Sequence, residues 1–376
     1  MTAPPAEMRY RRAVRIVTAV FALLWLYLGA LAWPQGRAHD FQYSYGAARL
    51  VLEGRTADLY GHFLTASPLR GLPYDRPAAV ALLYVPFAVL PPDAGFVCYT
   101  AVWVILLACC WLWGWRTFGY RALPLAAMFM PPPIGLAHGQ DCVLYLALLI
   151  WSYSLASRGR FFAAGCAVGL MALKFHLVLI WPVALIFERR WKMLAGFAAA
   201  SFLLAGTSLA MVGVSGTRAY LGVLQKSDPV SPSPEFGLGF PGLLANLGIH
   251  SITLQVLGAA AVVGVFVWSR RRDGVPHLYA AATAASLAMV PHVYGYDAAR
   301  LLLPIWLVYC GSESQLGRLA AVAMATPFVY SFTLLGKPWA AAGPIATLAF
   351  LVVLAVCPLQ AAPLETAPKE PLEIAV

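Results

Sequence analysis

Residues Ala94 to Trp115 read AGFVCYTAVWVILLACCWLWGW. The run contains no charged residue and exceeds the roughly 20 residues with which an α-helix crosses a bilayer. It is therefore read as a transmembrane helix. Working outward, further apolar runs cover Ala13 to Trp33, Phe161 to Phe187, Met193 to Val214, Ile252 to Trp268, Leu278 to Met289 and Leu301 to Cys310. Leu319 to Leu335 and Ala340 to Val356 complete the late set, and shorter runs lie at Ala78 to Leu90, Ala122 to Met130 and Cys142 to Ala156. Together they predict an all-α polytopic membrane protein with roughly 11 to 13 spans.

Composition agrees. The chain has 376 residues, of which 61% are hydrophobic and 11% charged, with a mean hydropathy of +0.73. A soluble domain carries about a quarter charged residues. Disordered proteins, nucleic-acid-binding domains and ordinary soluble enzymes are excluded. The net charge of +10 comes largely from residues flanking apolar runs: Arg9, Arg11, Arg12 and Arg15; Arg189, Arg190 and Lys192; Arg270, Arg271 and Arg272. Basic flanks of this kind orient loops toward the cytoplasm, so no nucleic-acid partner is implied.

The basic N-terminus and the run after it read as a retained first helix that starts in the cytoplasm. Pro34 to Asp75 then forms a first extracytoplasmic loop, in which Phe41, Tyr45, Ala48 and Leu52 share one helical face suited to the membrane surface. Gly54 ends that helix. Ser215 to His250, rich in Ser, Pro and Gly, is a second long extracytoplasmic loop. The basic loops Arg116 to Arg121 and Ser157 to Arg160 belong in the cytoplasm by charge and outside by strict alternation. Phe161 to Phe187 is either one tilted helix or two halves broken near Lys174. A single membrane domain over residues 1–360 and a disordered tail over 361–376 are expected. The seven cysteines all sit in apolar runs, lack CxxC spacing and read as core-filling residues.

Ionisable groups at membrane depth are costly, and each is a candidate functional group. Asp40 opens the first-loop helix, where it is either an N-cap or a reactive carboxylate at the membrane–water boundary. Lys174 lies inside an apolar run with His176 beside it. It needs an anion or a polar cavity, and a phosphate suits a lysine. Pro291-His292-Val293-Tyr294-Gly295-Tyr296-Asp297, followed by Arg300, is a polar aromatic hinge that binds a phosphate or a sugar, or serves only as a structural loop. His138-Gly139-Gln140-Asp141 is a turn of the same type. Arg76, at the re-entry into the membrane, faces an anionic head group on this reading. There is no Walker A loop, GxSxG, HExxH or Cys/His metal spacing, and the first loop has no DxD.

In this order and spacing the motifs resemble the polyprenyl-phosphate-mannose-dependent mannosyltransferases of glycosyltransferase family 87, in the GT-C superfamily. The resemblance rests on Asp40-Phe41 with Tyr45, Ala47, Ala48 and Gly54; on Tyr74 to Pro77 leading to Pro86 and Pro91; and on Gly135 to Gln140. It continues through Ala164-Gly165 and Gly169-Leu170 to Lys174, and then Pro291-His292 with Tyr296. The family often has proline after the lysine, where this chain has Phe175-His176.

The resemblance implies a GT-C fold and a membrane enzyme that moves a hexose, mannose in the first place, from a polyprenyl-phosphate donor to an acceptor hydroxyl, with inversion. Asp40 would be the base. Lys174, with His292 and Arg300, would hold the donor phosphate. His39, Tyr43, Gln140, His176 and Tyr296 would line the sugars, and neither cofactor nor metal is expected. The acceptor would be a glycolipid or a glycan, the enzyme a multi-pass protein of the plasma (inner) membrane, and its site would face the periplasm or outside. Transfer of another sugar, such as arabinose or glucose, and lipid or polysaccharide transport are the competing readings, with an O-antigen ligase or polymerase behind them.

Overall fold

The computed structural model describes residues 12, 14–21, 23–25, 40–60, 74–226, 234–270, 274–333, 335–357 and 359. Among them every regular element is helical. Five helical stretches are each long and apolar enough to cross a membrane: Pro92–Phe118, Phe161–Val178, Trp191–Gln225, Ile252–Ser269 and Trp339–Val356. Their outer faces are apolar; Phe202 is 76% and Leu203 65% exposed, which in this chain marks a lipid-facing surface rather than a water-facing one. The expected first helix, Ala13 to Trp33, lies in part outside the described residues, and the remaining apolar runs form shorter helices.

α1 (Asp40–Leu52) forms as expected and ends before Gly54, whose φ of +69° suits glycine after a helix C-terminus. Its apolar face does not lie on the membrane surface. Phe41, Ala48 and Leu50 are buried against protein, principally α2 (Ala79–Ala88), while Leu52 is exposed. The small residues Ala47 and Ala48 permit that close approach. α3 (Pro92–Phe118) then runs the full depth of the bundle.

The return from α3 is made by two short helices, α4 (Ala122–Met128) and α5 (Pro131–His138). Sequence reading stops the chain at Pro131-Pro132-Pro133. Instead the prolines start α5, because the first helical turn needs no amide donors and proline presets φ. Gly139, at φ +73°, closes it. α6 (Cys142–Ser157) crosses back.

Phe161 to Phe187 resolves into two halves: α7 (Phe161–Leu170), a 3-10 stretch over Met171–Val178, and α8 (Ile180–Phe187). The backbone leaves helical geometry at Lys174 (φ −123°, ψ 74°). α9 (Trp191–Lys226), kinked at Gly213, runs parallel to α7. Gly165 lies on Met193 and Phe197, and Gly169 on Phe197 and Ala200, so residue numbers rise together along the contact. Arg190 covers the Phe161 ring at 5.8 Å. The segment from Phe161 to Arg190 thus begins and ends at one face of the membrane domain, and Lys174 sits near its inner turn.

α10 (Phe240–Asn246), α11 (Ile252–Ser269), α12 (Val275–Ala288), α13 (Leu302–Gly311), α14 (Gln315–Ala325), α15 (Pro327–Thr333) and α16 (Ala342–Val356) complete the bundle. Two of these depart from expectation. Residues 215–226 extend α9 and Phe240–Asn246 is helical, so much of the expected loop from Ser215 to His250 is structured. Leu319 to Leu335 is divided at Thr326-Pro327, where proline cannot continue the amide ladder.

The bundle has two chemically different ends. One gathers Glu188 and Arg190 (2.6 Å), with Arg270 paired to the other Glu188 oxygen. The loops after α3 and α6 join this end, because Trp113 touches Tyr153 and Trp306 and Tyr153 touches Tyr279. Both ambiguous basic loops therefore lie on the same side as the other basic flanks. Strict alternation fails because α2, with 10 residues, covers only about 15 Å at 1.5 Å per residue and cannot cross. The opposite end holds α1, the Gly139 turn and the Pro291 to Tyr296 hinge.

Candidate active site

Asp40 is the first residue of α1, half-buried. Its position is set by backbone packing. A Cβ on Gly139 would stand 2.7 Å from Phe41 Cβ and 2.9 Å from Phe41 N, so the start of α1 rests directly on the His138-Gly139-Gln140 turn. Phe41 is locked among Tyr45, Tyr84, Phe96 and Tyr99, with ring centroids 5.0–6.3 Å away. Tyr99 Oη donates to the Gly139 carbonyl at 2.8 Å. The turn, α1 and α3 are thereby one unit, and Asp40 is aimed by it. Among the described residues Asp40 has no hydrogen-bond or ion-pair partner.

Beneath this lies a buried polar layer. Arg76 Nη1 pairs with Asp141 Oδ2 at 2.8 Å and Arg76 Nη2 donates to Gln140 Oε1 at 2.8 Å. Tyr145 Oη also donates to Asp141, at 3.0 Å. Arg76 was read as facing a head group; it points into the protein because its two partners are buried there. A second pair joins Lys174 Nζ to Asp297 Oδ1 at 2.5 Å. Asp297 Oδ2 accepts from the Tyr294 amide at 3.0 Å, and Lys174 Nζ lies 4.9 Å from the Tyr296 ring centroid. Arg300 Nη1 donates to the Leu177 carbonyl at 2.9 Å, just past the break at Lys174.

The two layers meet at Tyr296. Its ring is 6.4 Å from that of His138. Burial, and then the carboxylates of Asp297 and Asp40, hold its phenol pKa well above the usual value, which places Asp40 within electrostatic reach of Tyr296. Tyr43, one helical turn on from Asp40, contacts Asp75 Oδ1 at 3.2 Å; burial and that carboxylate raise its phenol pKa too. His176 stands among Lys174, Arg300, His292 and Arg76.

Among the described buried side chains, Arg76, Lys174 and Arg300 lie with two carboxylates, Asp141 and Asp297; the remaining carboxylate near them is that of half-buried Asp40. Among the described residues, three buried polar atoms here also lack a partner: Arg300 Nη2, His176 Nε2 and Asp141 Oδ1. Buried groups of this kind are costly unless something completes them. The arrangement is a buried, cation-bearing polar cluster near a half-buried carboxylate.

Of the residues singled out in the sequence, Asp40, Gln140, Lys174, His176, Tyr296 and Arg300 converge here, with His292 beside His176. Tyr43 faces Asp75 instead, and His39 lies outside the described residues. Asp297 and Asp141 were the omissions as site residues. Each sat in a polar segment already noted, and the signal available was charge matching: buried cations require buried anions.

Residues 77–291, more than half of the chain, match glycosyltransferase family 87. The match includes Gln140, Lys174 and His176 and stops short of Asp40 and of Tyr296 to Arg300. The chain is also 25% identical over 383 residues to the polyprenol-phosphate-mannose-dependent alpha-(1-2)-phosphatidylinositol pentamannoside mannosyltransferase of Mycolicibacterium smegmatis, with 89% of this chain and 88% of that protein covered. No solved structure matches. A helical membrane bundle with a buried, cation-bearing polar cluster at one end, matched over most of its central helices by one family of membrane sugar transferases, belongs to glycosyltransferase family 87.

Proposed function

We propose that this protein transfers mannose from a polyprenyl-phosphate-mannose to a hydroxyl of a glycolipid or glycan acceptor on the extracytoplasmic face, with inversion at the anomeric carbon. The observation that carries the reading is the buried, unpartnered Arg300 Nη2, with His176 Nε2 also unpartnered among the described residues, in a cluster whose Tyr296 is within electrostatic reach of Asp40. A sugar phosphodiester supplies one negative charge and several acceptor oxygens. The similarity to a mannosyltransferase over nearly the whole chain points to the same donor class, and the basic opposite end supports an extracytoplasmic site by the positive-inside rule.

In this mechanism Asp40 takes the proton of the acceptor hydroxyl. The acceptor oxygen forms its bond to the anomeric carbon as the bond from that carbon to the phosphate oxygen breaks. The electron pair leaves with the polyprenyl phosphate, whose charge grows from one to two. Cations fixed in advance at that oxygen lower the barrier without reorganising; this role is given to Lys174, Arg300 and His292, with Asp297 holding Lys174. Gln140, His176 and Tyr296 line the sugar. Tyr43 braces the loop through Asp75, and His39 precedes the base. The prenyl chain is assigned to an apolar groove of about 420 Å³ lined by Phe240, Leu254, Leu257, Gly258, Leu348 and Leu351. Phe240 of that groove lies two residues from Leu238, whose N–H donates to the Val293 carbonyl at 2.8 Å.

The test is transfer of labelled mannose from polyprenyl-phosphate-mannose by protein reconstituted in membranes. Asp40→Asn should lower the rate on the order of 10²–10⁴-fold, the range of a positioned general base. A mutant that transfers at the wild-type rate removes Asp40 from the mechanism, and absence of transfer by the wild type from this donor removes mannose.

A further inference from the structure

Arg76 is buried, and its guanidinium is used twice. Nη1 pairs with Asp141 Oδ2 and Nη2 donates to Gln140 Oε1, both at 2.8 Å. Its main chain is held as well, since Tyr60 Oη donates to the Arg76 carbonyl at 2.8 Å. On the other side, the backbone N–H of Gln140 donates to the Gly135 carbonyl at 2.8 Å, and Tyr99 Oη donates to that of Gly139 at 2.8 Å. The turn from Gly139 to Asp141 is thus fixed through its backbone and through both of its polar side chains.

This pairing decides which way the Gln140 carboxamide points. A guanidinium only donates, so the amide oxygen and not the nitrogen must face it. The nitrogen, with two protons to give, is turned away from Arg76. Among the described residues Nε2 has no acceptor. It is nevertheless not one of the sealed, unpartnered polar atoms, so the 5% exposure of Gln140 includes this nitrogen. Charge balance alone does not require the glutamine, because Asp141 already neutralises Arg76. What the second guanidinium nitrogen adds is direction for a neutral donor.

The position of that donor selects its ligand. Gly139, next in the chain, abuts Phe41, and Asp40 precedes Phe41. In an inverting displacement the base and the leaving group act on opposite faces of the sugar ring. A group on the side of the base therefore meets the sugar rather than the phosphate, and sugar oxygens accept from an amide N–H. Building on the sugar transfer proposed above, we infer that Arg76 is a positioning residue: it presents the Gln140 amide nitrogen as a fixed hydrogen-bond donor to an oxygen of the transferred sugar.

The full-length protein in nanodiscs would be titrated with polyprenyl-phosphate-mannose and, separately, with polyprenyl phosphate, which lacks the sugar, and binding read by native mass spectrometry. Wild type should prefer the sugar-bearing lipid. Gln140→Glu keeps an oxygen toward Arg76 and puts an acceptor where the donor stood. It should lower that preference about tenfold, the upper end for one neutral hydrogen bond. Arg76→Lys keeps the charge beside Asp141 but lacks the fork that holds two partners, and should lower it in the same direction. Arg76→Met combined with Asp141→Leu removes the guanidinium without stranding a buried charge. It should give the same loss, so a folding defect in the lysine variant leaves the test standing. Binding of polyprenyl phosphate should be unchanged throughout. A preference unaltered by Gln140→Glu overturns the donor, and one unaltered by the Arg76 variants overturns Arg76 as the residue that aims it. An equal loss for both lipids makes the network structural or phosphate-binding and overturns the inference. A wild type with no preference for the mannosylated lipid removes the transfer proposed above, and this inference with it.

Discussion

Lys174 shows how a single residue is read differently by sequence and by structure. In the sequence it is a lone ammonium in an apolar run, and a ligand phosphate is the natural counter-ion. In the fold its counter-ion is Asp297, 123 positions away. No local pattern links the two, because the pairing depends on how α8 to α12 return the chain. Removing one member of a buried pair leaves an uncompensated charge and costs about 3–5 kcal/mol, while replacing both with apolar residues is often neutral. Asp297→Asn is expected to lower the unfolding temperature in detergent by a corresponding margin. Lys174→Met combined with Asp297→Leu should recover most of that stability and none of the sugar transfer. Recovery of both would make the pair purely structural. The hinge from Tyr294 to Tyr296 was legible as polar and aromatic; that its aspartate neutralises Lys174 was not.

At the scale of elements, the segment from Phe161 to Phe187 was legible as apolar and interrupted, and its glycines explain what the interruption builds. Gly165, Gly169 and Gly196 let α7 and α9 touch backbone to backbone; a Cβ at Gly165 would run into the Met193 carbonyl oxygen, and one at Gly196 into that of Phe162. Small residues at such contacts are how membrane helices pack without a hydrophobic driving force between them. The same contact fixes the depth of Lys174. Gly165→Leu should therefore cost about 1–3 kcal/mol by overpacking and reduce transfer by displacing Lys174. The same substitution at Gly264, where a side chain meets open space, should leave both measurements near wild type.

For the whole molecule, the consequence is polarity across the membrane. The basic loops and the Glu188–Arg270 pair share one end, and α1 with the polar cluster occupies the other. The positive-inside rule then predicts an orientation with the proposed site outside. A cysteine placed at Glu53 should react with a membrane-impermeant maleimide in intact cells, and one at Arg158 only after the membrane is opened. Both positions are exposed. The reverse pattern would invert the orientation and, with it, the source of the donor.

The sequence by itself determined the solvent of this protein and the chemical character of its ends. Runs such as Ala94 to Trp115 can bury their backbone polar groups in lipid only as helices, and the flanking arginines identify a side. It also exposed Asp40, Lys174 and Arg300, since ionisable groups are rare enough in such a chain to stand out. Only the tertiary structure decided which charges pair, that three prolines open α5, that α7 and α8 turn back rather than cross, and that Arg300 Nη2 is left buried without a partner among the described residues. Those are outcomes of long-range packing, where partners 65 to 123 residues apart meet, and no local periodicity encodes them.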